Sequence, residues 1–219
     1  MQKIMFEHRR FGLEQAVIAR LKENTRRRVR FPKGVNDADV ESAVMGIDQK
    51  GRVYFTFTVS THWGAEAVDV YPKYQIGEKV AIAQSYEDLA NSRYCIELGM
   101  MDSPTTFKKE FCGQGWRNKM FVKSEHMPHV IEITDIKAER LQDISDEDCL
   151  LEGIYVHNPD PSEPRFIGYA YDETPGTNRK KWWFKTPREA FARLIELLNG
   201  RGAWERNEWQ FAYTFKLIK

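Results

Sequence analysis

The sequence predicts an α+β domain whose strands close as a small barrel, and three observations predict it. Gly51 to Thr61 (GRVYFTFTVST) alternates and is rich in β-branched and aromatic residues, which reads as a strand, and the chain ends on another strand, Trp209 to Ile218. Ser145-Asp-Glu-Asp148 and Thr186-Pro-Arg-Glu189 have capping-box spacing and open helices between the strands. Helices separated by strands that must pair over long sequence distances fit an α+β domain, with a small barrel as the expected closure.

The elements follow in order. A short helix is expected from Gly12 to about Lys22, with Leu13, Ala16 and Val17 on one face and Glu14, Gln15 and Arg20 facing away. A basic segment, Thr25-Arg-Arg-Arg-Val-Arg30, comes next, and Pro32 forbids helix beyond it. Residues 33–50 are polar and read as a loop before the strand at 51–61. Tyr74 to Glu78 reads as a turn and Lys79 to Gln84 as a short buried strand. Residues 86–118 are mixed and read as an insertion, with Gly113 to Trp116 as a loop. Met127 to Glu139 holds a strand carrying Val130, Ile131, Ile133 and Ile136. The helix opened at Ser145 runs one to two turns and stops at Gly153. Residues 157–180 are proline-rich and read as a surface loop. Pro187 then takes the first position of the last helix, where Phe191, Leu194, Ile195 and Leu198 keep helical spacing until Gly200.

With 219 residues the chain is long enough for one full core, and it reads as a single domain throughout. Its 33 Lys and Arg against 32 Asp and Glu exclude a general DNA-coating role and send any nucleic-acid contact to a local patch. No run of about 18 apolar residues occurs, so no membrane partner is expected. The opening MQKIMFEHRRFG turns charged too soon for a secretory signal. Cys95, Cys112 and Cys149 are odd in number and lack Cys-x-x-Cys spacing, which fits reduced thiols in a cytoplasmic protein. The histidines do not cluster, so neither a metal nor another cofactor is expected.

Three stretches go beyond pattern: GLEQAVIARLKENTRRR at 12–28, ITDIKAERLQDISDEDCLLEGI at 133–154 and FARLIELLNGRGAWERNEWQFAYTFKLI at 191–218. Together they resemble the ASCH domain, the homology domain of activating signal cointegrators, in the version common in phages and prophage-carrying bacteria. That group opens on Gly-x-Lys, followed five residues after the Lys by Arg. Here Lys22 and Arg27 fill the last two positions and Arg20 stands at the glycine. Gln84 stands where many relatives carry Glu, Leu194 at a usually Trp-flanked position, and Glu208 where Pro is usual. The resemblance covers most of the chain in patches, except roughly 31–50 and 157–180. It implies a PUA-like β-barrel with a cleft between the barrel and the first helix. It also implies RNA or a nucleotide-like molecule as the ligand. In a few small relatives the activity is hydrolysis of acetylated cytidine or cleavage of RNA.

The basic run places Arg26, Arg27, Arg28 and Arg30 within five residues. Arginine suits phosphate because its planar fork binds oxygens in pairs and stays charged; the same run also fits a solvated turn paired with acids. Lys22 and Gln84 complete the expected cleft, Gln84 carrying both a donor and an acceptor for a base edge. Trp116, beside Arg117 and Lys119, is a candidate to stack on a base or to plug the barrel end. Arg179 to Lys185 (RKKWWFK) interleaves charge and aromatics as single-strand binders do. Lys22 and Thr25 share a face if the helical turn persists. In the hydrolase relatives a lysine and a threonine at this spacing act together, the lysine taking the hydroxyl proton. The third group there is a carboxylate, which Gln84 cannot supply, so weak or no amidohydrolase activity is expected. A non-catalytic, phage-related scaffold or protein-binding role is the remaining alternative.

Overall fold

The computed structural model describes residues 1–91, 113–158, 162, 167–171 and 183–219. Among these, the first half of the chain forms β1 (Gln2–Ile4), α1 (Leu13–Ile18), β2 (Asn24–Arg28), β3 (Val40–Ile47), β4 (Val53–Thr61), β5 (Gly64–Val70), β6 (Lys79–Ile82) and α2 (Tyr86–Asn91). The second half forms β7 (Val130–Arg140), α3 (Asp146–Leu151), β8 (Tyr155–His157), β9 (Gly168–Ala170), α4 (Pro187–Asn199) and β10 (Trp209–Leu217). Five strands make one sheet in the order β1-β6-β7-β10-β2, antiparallel except where β1 meets β6. β3, β4 and β5 form a separate antiparallel sheet.

The mixed helix-and-strand character expected from the sequence is what the chain adopts, but the sheets are not closed into a barrel. Side chains span the seam instead of a ladder. Arg27, in the edge strand β2, donates to the carbonyl of Met5, just past the opposite edge strand β1, at 2.5 Å. Beyond β2 one more backbone bond forms, from Val29 N to Trp209 O. Pro32 then removes a donor, and the chain leaves for the second sheet.

The core lies between the two sheets. β4 alternates buried Val53, Phe55, Phe57 and Val59 with half-exposed partners, the period of a strand covered on one face. Phe55 lies 5.4 Å from Phe211 of β10, and Phe57 lies 5.3 Å from Trp209, ring to ring. Full burial of such a ring stabilises by about 1.5–3 kcal/mol. α3 and α4 pack together beside the other face of β2, where Arg26 reaches Asp148 of α3 and lies 5.9 Å from the Phe191 ring of α4. Both helices are capped as their sequences require: Ser145 Oγ accepts from Asp148 N at 3.0 Å, and Thr186 Oγ1 from Glu189 N at 3.1 Å.

Several expectations are corrected. α1 stops at Ile18 rather than near Lys22, because the N–H groups of Leu21 and Lys22 both turn back onto the carbonyl of Ala16 around a left-handed Arg20 (φ 58°). Glu14 does not face away from the core but is fully buried. β3 occupies part of the expected loop at 33–50, and β9 part of the expected loop at 157–180. The expected insertion at 86–118 begins as α2 and ends in short turns, while residues 92–112, with Cys95 and Cys112, lie outside the described residues. Among the described residues no helix is long and apolar enough to cross a membrane, and no group of His, Cys, Asp and Glu is placed to hold a metal ion.

Candidate ligand-binding groove

Strand alternation sorts the basic run of β2 onto two faces. Asn24 and Arg26 point to α3, whereas Thr25 and Arg27 lie beside their cross-strand partners Tyr213 and Phe211. On the α3 side Arg26 is enclosed by acids. It donates to Glu139 Oε1 at 2.9 Å through Nε, to Glu152 Oε1 at 3.0 Å and to Asp148 Oδ2 at 3.2 Å. Asn24 donates to the other oxygen of Asp148 at 3.1 Å. Lys22 enters the same enclosure, with its ammonium on the Glu152 carboxylate and, at 2.8 Å, on the Glu152 carbonyl. Gly153 closes α3 at φ 101°, a backbone conformation that favours glycine, and packs beside the Lys22 stem.

Burial pushes the Lys22 ammonium below its ordinary pKa, the Glu152 carboxylate working against that. For Arg26 burial also opposes the charge, but Glu152 and Glu139 outweigh it and hold the guanidinium above its ordinary value. Cys149, on α3, is buried and pushed up to about 12 by that burial, so its thiol stays protonated and inert.

The other side of β2 opens onto a groove of about 1000 Å³. Its floor is Phe211 and Tyr213 of β10, and its walls carry Phe31, Tyr71 and Tyr74. Arg27, Arg28, Arg30, Lys73 and Lys3 line it, against Asp37 as the acid. Asp37 is already paired with Arg140 at 2.7 Å. Lys3 turns its ammonium to the carbonyls of Met120 and Val122, and Arg27 is fixed on Met5 with Phe6 5.8 Å beneath it. Arg28 pairs with Glu208 at 2.9 Å while its side chain stays exposed. Arg30 and Lys73 have no carboxylate partner among the described residues, and the Lys73 ammonium lies over the Tyr74 ring at 4.9 Å. The floor is tied down: Tyr213 OH accepts from Lys73 N at 3.1 Å, and Tyr74 OH donates to Lys3 O at 2.9 Å. Burial pushes Tyr213 up to about 12, so the floor is neutral and the net charge of the groove is positive.

The remaining sequence-derived candidates lie apart from the groove. Gln84 is buried and donates to Glu14 Oε1 at 3.1 Å, and Lys119 places its ammonium on Glu14 Oε2. Trp116 is half-buried and donates to Glu87 Oε1 at 3.0 Å. Arg179 and Trp182 lie outside the described residues; Trp183 is half-exposed, its ring tilted 58° to that of His157 with centroids 3.7 Å apart. Thr25 is buried in β2, so the helical turn that would align it with Lys22 does not persist. The structure therefore brings Lys22 together with Arg26, and Gln84 with Lys119, while Arg27 and Arg28 face the groove.

Sequence reasoning missed Glu152 and Glu14, the carboxylates at the centre of the two buried clusters. Glu14 carried a signal, since it stands three residues before Val17 on the same helical face. Tyr71-Pro-Lys-Tyr74 also carried one, interleaving a cation with aromatics. Glu152 carried none. No family model matches the chain, and neither curated proteins nor solved structures yield a match.

Proposed function

We propose that the chain binds single-stranded RNA or a nucleotide-like ligand in the groove between β2 and the segment that follows β5. The observation that carries this reading is the placement of Arg30 and Lys73, cations without carboxylate partners among the described residues, beside Phe31 and the exposed Tyr71, with the buried Tyr74 ring beneath Lys73. Guanidinium and ammonium groups hold phosphate oxygens, and each base stacked on an aromatic side chain adds about 1–3 kcal/mol. The ASCH resemblance supports the same ligand class and treats the facing sheets as a PUA-like barrel left open at the Arg27 seam. A labelled single-stranded oligoribonucleotide titrated at two ionic strengths tests the proposal. Wild type binds at low salt, and Arg30→Ala combined with Lys73→Ala weakens binding and flattens its salt dependence, by about 0.7 in log–log slope for each phosphate no longer neutralised. No binding at low salt, or an unchanged slope in the double variant, overturns it.

A second reading, hydrolysis of an acetylated cytidine-like nucleoside, is favoured by one observation: the carboxylate that Gln84 cannot supply is present beside Lys22 as Glu152. Thr25, however, lies on the strand face opposite Asn24 and Arg26, the two residues that reach α3. An unoriented base commonly costs orders of magnitude in rate, so the expected outcome is weak or no deacetylation when product is followed by chromatography. Turnover that disappears in both Lys22→Ala and Thr25→Ala would establish the hydrolase.

A further inference from the structure

Outside the groove, the second buried cluster joins parts of the chain that are far apart in sequence. Glu14 of α1 is fully buried and holds Gln84 and Lys119. His8 lies between two carboxylates: its Nδ1, buried and without a hydrogen-bond partner among the described residues, is 3.4 Å from Glu14 Oε1, and its Nε2 is 3.5 Å from Asp88 Oδ1 of α2. Ser85 Oγ donates to the other oxygen of Asp88 at 2.5 Å. Lys119 also reaches the carbonyl of Phe6 at 3.3 Å. A neutral imidazole has one N–H and one lone pair, so it would turn a lone pair toward one carboxylate; only the imidazolium presents a donor to both. Charge counting agrees. Among the described residues Glu14 and Asp88 face Lys119 as the one permanent cation of the cluster, and a charged His8 makes that set neutral.

We propose that His8 is a pH-sensitive latch: its imidazolium clamps the N-terminal segment 5–11 between α1 and α2, and loss of its proton releases that segment. Met5 and Phe6, which hold Arg27 at the edge of the groove, belong to this segment, so the latch sets the position of one groove wall. The Asp88 carboxylate beside it raises His8 above its ordinary pKa against the effect of burial, with Glu14 adding to it and Lys119 opposing. Asp88 in turn is held at about 2, first by His8. A raised folded-state pKa contributes stability that is complete below the ordinary histidine value and is lost as pH rises through the folded value. His129 provides the opposite case, since burial holds it below its ordinary value.

Ring-nitrogen NMR of the full chain without ligand, titrated across about pH 6.5, reads the latch directly. His8 is expected to titrate above that value and His129 below it. Amide exchange in residues 5–11 and 86–91, corrected for its intrinsic pH dependence, is expected to speed by about tenfold through the His8 midpoint, while β10 stays unchanged. His8→Gln makes exchange of the segment fast at every pH, and Asp88→Asn moves the midpoint down. A His8 midpoint at or below about 6.5, or segment exchange that ignores that midpoint, overturns the proposal. Neither readout involves a ligand, so the latch stands or falls apart from the binding proposal.

Discussion

Arg26 and Arg27 are neighbours in one strand, yet they belong to different environments. Arg26 faces α3 and is surrounded by Glu139, Asp148 and Glu152, together with Lys22. Arg27 faces the groove, where Arg30 and Lys73 have no carboxylate partner among the described residues. The comparison teaches that a run of like charges is not one functional unit. Within β2 the two-residue period of a strand separates Arg26 from Arg27, sending one to hold the fold and the other to the groove, while Arg28 and Arg30, of Arg26's parity, join the groove where the strand ends. Among the described residues, what separates the two regions is the supply of acids: three carboxylates against two cations in the enclosure, but a single, already paired Asp37 lining the groove.

The largest effect is expected from Glu152→Ala, which strips the carboxylate from the buried Lys22 and one partner from Arg26. Breaking a buried pair by removing one side typically costs about 3–5 kcal/mol, because the other charge stays behind. Urea unfolding of the variant should register that loss. Burial already depresses Lys22, and removal of Glu152 takes away the main group opposing it. A lysine with a depressed folded pKa is penalised while charged, so the deficit should shrink as pH rises through the folded value. A loss below about 1 kcal/mol would mean that the enclosure does not hold the fold.

The groove should respond in the opposite way. Arg30→Ala and Lys73→Ala are expected to leave unfolding within about 0.5 kcal/mol of wild type while flattening the salt dependence of RNA binding. If these variants lose stability, or if Glu152→Ala abolishes binding by the molecules that remain folded, the division between the two faces of β2 fails.

How much of this was legible in the sequence depended on whether local or distant residues decide. The caps at Ser145 and Thr186, the alternation of β4 and the existence of the terminal strand β10 are set within a few residues, and they were read correctly. β3 escaped because only Val40 is buried on it; an edge strand with one covered residue has no period to detect. The enclosure escaped for a different reason. Glu139 comes from the end of β7, Asp148 from α3 and Glu152 from its C-terminal cap, and no spacing links them to Lys22 and Arg26 more than a hundred residues earlier. The groove was half legible. The arginine run stood out, but its partner Lys73 with Tyr71 and Tyr74 joins it only through the packing of the second sheet against β10.

The smallest expected effect concerns the turn that delivers the chain from α1 into β2 and thereby decides which face Lys22 and Arg27 take. Arg20 adopts φ 58° there, in the left-handed region that is open to glycine and costs other residues roughly 1–2 kcal/mol. Its position after the last turn, with Leu21 N and Lys22 N both bonded to Ala16 O, is the one that glycine most often fills at a helix C-terminus. Arg20 is exposed and makes no ion pair among the described residues, so Arg20→Gly removes strain while every ion pair stays in place. Part of the gain is offset by the greater freedom of glycine in the unfolded chain, about 0.5–1 kcal/mol. The net expectation is a stabilisation of about 0.5–1 kcal/mol, seen as a higher urea midpoint with an unchanged slope. RNA affinity should be unaltered, since Arg20 is not among the groove residues. A weaker affinity with unchanged stability would place Arg20 on the ligand path and extend the binding face from the groove around the end of α1.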